Sequence, residues 1–187
     1  MSLTLADIQA AAARIAPYIH RTPVLTSATL DELCGGHLFF KCENFQKIGA
    51  FKARGAANAV FSLTAAEAAR GVVTHSSGNH AAALARAARL RGIAAHIVMP
   101  SNAPLSKIAS VRRNGGLITF CEPNVAARES TCARLVAETG GRLIHPYNDY
   151  AVMAGQGTAA LELQPVNLAQ HVVEVEFNAF DGHGLVL

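Results

Sequence analysis

Charge is scarce in this chain. Only 16% of its 187 residues are Asp, Glu, Lys or Arg, against roughly 25% in an average soluble domain, while 51% are hydrophobic. Such a chain can bury a sizeable core, so disorder is not expected. The length suits one domain or two small lobes. The 16 basic residues leave a net charge of +3 and are scattered, forming no stripe able to track phosphates, so no nucleic-acid partner is expected. Long apolar runs are missing too. No stretch approaches the roughly 20 residues needed to span a bilayer. The N-terminus "MSLTLADIQAAAARIAPYIHRTP" has an early acid and lacks the basic-then-apolar order of a signal peptide. No membrane association is expected, and the cytoplasm is the expected compartment. The four cysteines, Cys34, Cys42, Cys121 and Cys132, contain no Cys-x-x-Cys pair, which argues against a disulfide scaffold and a zinc site. They are expected to be buried thiols. His75 and His80 are five residues apart across a strand-to-helix turn, a poor metal geometry, and no metal is expected. There is no G-x-S-x-G, no Walker loop, no G-x-G-x-x-G after a strand, and no internal repeat.

What is present is a rhythm. Thr4 can cap a first helix with Leu5, Ile8, Ala12 and Ile15 at helical spacing, ending before "RTPV", where Pro23 restricts the backbone. "HLFFKCE" (37–43) reads as a strand, and a helix from about Phe51 to Leu63 places Val60 and Phe61 on its apolar side. From residue 71 the pattern is regular. Strands "GVVTH", "AAHIVMP", "LITFCE" and "RLIHP" alternate with helices "NHAAALARAARLR", "APLSKIASVRRN" and "VAARESTCARLVAET", each helix stopped by glycine. Short continuous apolar strands alternating with helices predict an α/β fold, a parallel sheet with helices on both faces and crossovers of one hand. Arg86, Arg89, Arg91, Arg112 and Arg113 read as the wet faces of surface helices. "YAVMAGQGTAALEL" reads as a helix despite Gly155 and Gly157, and after Pro165 only a possible strand at 172–177 stands out.

Two stretches could carry chemistry. In "GAFKARG" (49–55), Lys52 opens a predicted helix beside Arg54, where the dipole and the guanidinium both disfavour a further positive charge. An amine that sheds its proton easily can attack a carbonyl. Spacing alone favours an ordinary solvated lysine, since most lysines are exposed. In "THSSGNH" (74–80), Ser76, Ser77, Gly78 and Asn79 set hydroxyls and N–H groups at a helix N-terminus, a place for a carboxylate or phosphate. The alternative is plain N-capping by a serine or by Asn79.

Together these stretches carry a resemblance. "FQKIGAFKARGAANAV", "VVTHSSGNHAAALA", "AHIVMPSNAP", "CEP" and "HPYNDYAVMAGQGTAALEL" closely resemble, in order, the serine/threonine dehydratase and serine racemase branch of the fold-type II pyridoxal-phosphate enzymes, from about residue 5 to residue 164. "FKARG" separates it from the cysteine-synthase branch. The resemblance implies the fold of the tryptophan synthase β-subunit type and pyridoxal phosphate as cofactor. It implies an N-terminal part of a large domain at 1–67, a small α/β domain at 68–147, and a return to the large domain at 148–187, atypical from about 165. Lys52 matches the lysine that holds the cofactor covalently and removes the substrate α-proton. Phe51 matches the aromatic residue packed on the cofactor ring, and Asn79 the asparagine bonded to the ring hydroxyl. Ser76, Ser77, Asn79 and His80 match the loop receiving the substrate carboxylate.

The implied activity is β-elimination from serine- or threonine-type hydroxy amino acids to a keto acid and ammonia. Serine racemisation is the alternative, with Ser77 as the base on the face opposite Lys52, a place where non-racemising relatives often have alanine. The implied partner is a small amino-acid substrate, and full-length relatives are expected to be homo-oligomers. The family continues into a glycine-rich phosphate loop that "FDGHGLVL" does not reproduce. A third reading is therefore a truncated, inactive fragment. Each lost charge-assisted phosphate hydrogen bond costs about 1.5 to 3 kcal/mol, so cofactor affinity is expected to fall by orders of magnitude.

Overall fold

The computed structural model describes residues 2–163. Helix α1, Leu5–Ile15, starts in a capping box: the Thr4 hydroxyl accepts from the Asp7 N–H while the Asp7 carboxylate accepts from the Thr4 N–H. Ala11 and Ile15 are buried, but Leu5 is 54% exposed. The inward stripe therefore begins a turn later than its apolar spacing suggested. The strand expected over 37–43 shrinks to β2, Phe40–Lys41, antiparallel to β1, Val24–Leu25. Between them lies α2, Ala28–Cys34, missed in the sequence, capped by Ser27 and ended by Gly35 in the left-handed region. Cys34 is exposed and Cys42 half-buried, so only Cys121 and Cys132 are the buried thiols expected of all four.

Helix α3, Lys52–Phe61, is followed by a short α4, Ala65–Ala69, also missed, with a Thr64/Glu67 capping box. The regular alternation then appears as β3 (Val72–His75), α5 (Asn79–Arg91), β4 (Ala95–Pro100), α6 (Leu105–Arg113), β5 (Leu117–Cys121), α7 (Val125–Thr139) and β6 (Arg142–Leu143), before α8 (Tyr150–Leu163). Gly92 and Gly140 end α5 and α7 in the left-handed conformation that side chains resist. The strand considered at 172–177 lies outside the described residues. No helix among the described residues is long and apolar enough to cross a membrane.

The four strands β3 to β6 form an all-parallel sheet of order β5-β4-β3-β6. Alternation along the strands divides two cores. Val72, Ile97 and Met99 pack with the alanine-rich face of α5 and with Ile108 and Val111 of α6. Val73 and Val98 point the other way, onto Cys132 and Leu135 of α7. With α5 and α6 on one face and α7 on the other, the chain crosses in one hand on the way out and again on its return. Arg91 is no wet-face residue. Its guanidinium donates to the carbonyls of Val60 and, at 2.6 Å, Leu63, capping the C-terminal end of α3.

The glycines of α8 have a packing reason. A Cβ on Gly155 would lie 2.6 Å from the Gly55 Cα and 2.7 Å from the Arg54 carbonyl, so α8 and α3 cross backbone to backbone. Gly157 makes similar room for Ile8 of α1. Gly155→Ala is expected to lower the unfolding free energy by roughly 1–3 kcal/mol. Gly36→Ala, with nothing within 4 Å, should stay within about 0.5 kcal/mol. Urea titration of both variants checks this; equal stabilities would refute the close crossing.

Candidate active site

Strand order locates the site. The chain runs outward from β3 through β4 to β5, then returns to place β6 on the other flank of β3. Beyond the carboxyl ends of β3 and β6 lie the loops that lead into α5 and α8, at the end of an open α/β sheet where ligands bind. The Thr74 hydroxyl donates to the Ile144 carbonyl at 2.7 Å and the Ile144 N–H to the Val73 carbonyl at 2.9 Å, so the two strand ends are firmly joined. Ser76 to His80 follow one strand and His145 to Asn148 the other.

Lys52 reaches this place from α3. Its Nζ donates to the Pro146 carbonyl at 3.3 Å and lies 4.8 Å from the centroid of the Phe51 ring. Both residues are half-buried, so the solvated-lysine reading does not hold. The approach to the helix is strained. Ile48, β-branched, has φ of 62°, a conformation costing about 1–3 kcal/mol that persists only where its surroundings over-determine it. Gln46, 3% exposed, supplies that determination. Its Oε1 accepts from the N–H groups of His20 and Lys47, both at 2.9 Å, and its Nε2 donates to the His20 carbonyl at 2.7 Å.

Arg54 does not act on Lys52 as the sequence suggested. Its fully buried guanidinium is taken up by two carboxylates: Nε and Nη2 hold Glu43 at 2.7 and 2.8 Å, and Nη1 holds Glu162 at 2.7 Å. Lys41 Nζ completes the cluster at 2.6 Å from Glu162. Burial works against the Arg54 charge, but the hydrogen bonds it donates to Glu43 and Glu162 outweigh it and the group stays ionised. Burial likewise pushes the Glu162 carboxyl up, and the bonds from Arg54 and Lys41 overcome this and hold it below its ordinary range. Two cations and two anions balance, so Arg54 presents no unspent charge to its neighbour. Gln46, Glu43 and Glu162 were not singled out in the sequence; a charge in an apolar, alanine-rich helix was the available signal.

The second stretch turns tightly. The Ser76 N–H donates to the Val98 carbonyl, and its hydroxyl accepts from the Gly78 N–H at 3.2 Å. Gly78 itself, which has no side chain to offer, is the N-cap of α5. Neither a serine nor Asn79 holds the capping position, and a helix N-terminus attracts anions. Ser77 is half-buried and its hydroxyl makes no hydrogen bond among the described residues. Asn79 opens the helix. His80 is 3% exposed, and among the described residues neither ring nitrogen has a hydrogen-bond partner in good geometry. Burial, then the Lys52 charge, pushes its pKa down to about 4; the Ile144 backbone pulls upward and His145 and His75 add to the depression. His80 is therefore a neutral imidazole close to Lys52. An unsatisfied buried imidazole is costly unless something completes it.

Residues 15–177 match the family model described as "Pyridoxal-phosphate dependent enzyme", and the chain belongs to that family. The match extends past residue 164, where the motif resemblance stops. The chain is 61% identical over 160 residues to the "beta-hydroxyaspartate dehydratase" of Paracoccus denitrificans, covering 86% of this chain and 51% of that protein. It is 56% identical over 157 residues to a serine racemase of Oryza sativa subsp. indica, covering 84% and 46%. The maize serine racemase structure superimposes with a TM-score of 0.88 at 51% identity, covering 90% of this chain and 51% of that one. The chain thus spans about half the length of the curated relatives it matches.

The family's cofactor fits the residues present. Lys52 offers the amine, Phe51 a ring beside it, and Asn79 an amide at the start of α5. The N-terminus of α5 and the orphaned imidazole of His80 offer polar partners. "FDGHGLVL" lies outside the described residues.

The state of His80 has a measurable consequence. It is neutral in the fold down to about pH 4, whereas in the unfolded chain it takes up a proton near pH 6.5. The unfolded state binds more protons between these values, so stability is expected to fall as pH drops from about 6.5 towards 4, by at most about 1.4 kcal/mol per pH unit. His80→Gln should flatten this slope in urea titrations across the range; an unchanged slope would show that His80 is not held neutral.

Proposed function

We propose that this chain provides the lysine-bearing, carboxylate-binding part of a pyridoxal-phosphate-dependent ammonia-lyase acting on β-hydroxy amino acids. The observation that carries the reading is the position of the Lys52 amine at the carboxyl ends of β3 and β6, 3.3 Å from the Pro146 carbonyl and close enough to His80 in the first turn of α5 to depress its pKa. Pyridoxal phosphate, when bound, serves as the electron sink that makes the amino-acid α-carbon acidic. Lys52 would hold that group covalently and, once released by the substrate amine, take the α-proton. Phe51 would pack on the ring and Asn79 meet its hydroxyl. The N–H groups and hydroxyls of Ser76, Ser77 and Asn79 would orient the substrate carboxylate. With His80 neutral, this cradle relies on dipoles and the helix terminus. The β-hydroxyl leaves as water, and water re-enters to release ammonia, so the net products are a keto acid and ammonia. The dehydratase from Paracoccus denitrificans supports this reaction class.

Ser77 favours a second reading. Its hydroxyl is uncommitted among the described residues, and a second base across a planar carbanion permits inversion, as the racemases among the relatives suggest. In the test, the protein is incubated with excess pyridoxal phosphate, reduced with borohydride and mapped by peptide mass. The label is expected on Lys52 and absent in Lys52→Ala; labelling at Lys41, Lys47 or Lys107 instead would defeat the assignment. Keto acid is expected to form faster than D-serine from L-serine, and Ser77→Ala should suppress any D-serine. D-serine as the main product would favour the second reading.

A further inference from the structure

We infer that His145 is the positioning residue that fastens the turn over the Lys52 amine, by accepting two backbone hydrogen bonds at its Nδ1; the importance of that turn rests on the role proposed for Lys52. The segment between β6 and α8 is anchored at both ends. Ile144 is bonded to Val73 and Thr74 of β3, and the Asp149 carboxylate accepts from the N–H groups of Ala151 and Val152 at the start of α8, at 2.8 and 3.1 Å. Between these anchors only four residues remain, and one of them carries the Pro146 carbonyl that receives Lys52 Nζ.

His145 closes that interval. Its Nδ1 accepts from the Asn148 N–H at 2.9 Å and from the Tyr147 N–H at 3.4 Å. A nitrogen that accepts two N–H groups carries no proton, so the imidazole is the Nε2–H tautomer. Ring contacts fix its plane. His75 stands edge-on at 5.4 Å and Tyr147 at 4.5 Å between ring centroids, each nearly perpendicular to His145. The imidazole thus does for this turn what an Asx side chain does in a turn built on its own backbone. It is not a catalytic residue; it acts on the amine through the Pro146 carbonyl.

The substitution that separates the two roles of the ring is His145→Asn, whose side-chain oxygen can accept the same two bonds, against His145→Phe, which keeps an aromatic ring and accepts none. Hydrogen exchange at the Tyr147 and Asn148 amides is expected to be about tenfold faster in His145→Phe and near the parent rate in His145→Asn. Competitive acetylation of Lys52, read by mass spectrometry without any cofactor, should change several-fold in His145→Phe alone. Equal effects of both variants, or none from either, would overturn the assignment. Should His145→Phe fail to fold, nitrogen-15 chemical shifts of the unsubstituted imidazole in mildly alkaline buffer still decide: an unprotonated Nδ1 supports the assignment and a protonated one refutes it. None of these readings needs bound pyridoxal phosphate, so they stand or fall separately from the borohydride experiment.

Discussion

Everything at the candidate site depends on where helix α3 begins, and that is set by a buried charge cluster. Arg54, one residue past the Lys52–Ala53 pair, has no exposed surface, and its guanidinium is divided between Glu43, which precedes the strained Ile48 turn leading into α3, and Glu162 near the end of α8. Lys41 from β2 joins the same carboxylate. Three stretches of the chain, residues 41–43, α3 and α8, thus meet at one point. A planar fork with several fixed donors can bind two carboxylates in set directions, which a lysine there could not. Buried ion pairs add little net stability over apolar packing, but breaking one leaves an uncompensated charge at a cost of about 3–5 kcal/mol. The cluster therefore acts chiefly to specify position. Close contact of Gly55 with Gly155 sets the distance between α3 and α8, and the ion pairs set the register.

From that fixed start, the site follows by geometry. The sheet supplies the carboxyl ends of β3 and β6, the β3 loop supplies the glycine-capped N-terminus of α5, and the β6 loop supplies the Pro146 carbonyl. The three parts are held by different devices: the Arg54 cluster, the Ser76 turn, and the His145 imidazole. Burying His80 beside the lysine with both nitrogens unsatisfied is a local cost, of the kind that collects where a protein binds something.

Much of the scaffold was legible in the sequence, and the physics says why. The sheet and helices from residue 71 to 143 are written in short apolar runs punctuated by glycines that must adopt positive φ, signals that depend on local backbone sterics. The loop Ser76 to His80 was legible as a strand-to-helix turn for the same reason. What escaped was set by partners far along the chain. The seven-residue α2 and five-residue α4 are too short to show a period. Leu5 kept helical spacing without burial. Arg54 looked like a field source because its carboxylates lie 11 residues before and 108 residues after it. Gly155 and Gly157 sat unexplained in a helical stretch because the helices they admit were not in view. Cys34 ended up exposed because α2 buries none of its residues.

The most direct test of this account is a double-mutant cycle on Arg54 and Glu43, using Arg54→Met, Glu43→Gln and the two together, with unfolding free energies from urea titration. If the pair is the buried constraint that seats α3, the double variant should be more stable than the sum of the single losses, with a coupling of about 1–3 kcal/mol. A coupling within about 0.3 kcal/mol of zero would mean that the two side chains do not hold each other, and that the lysine helix owes its position to something else.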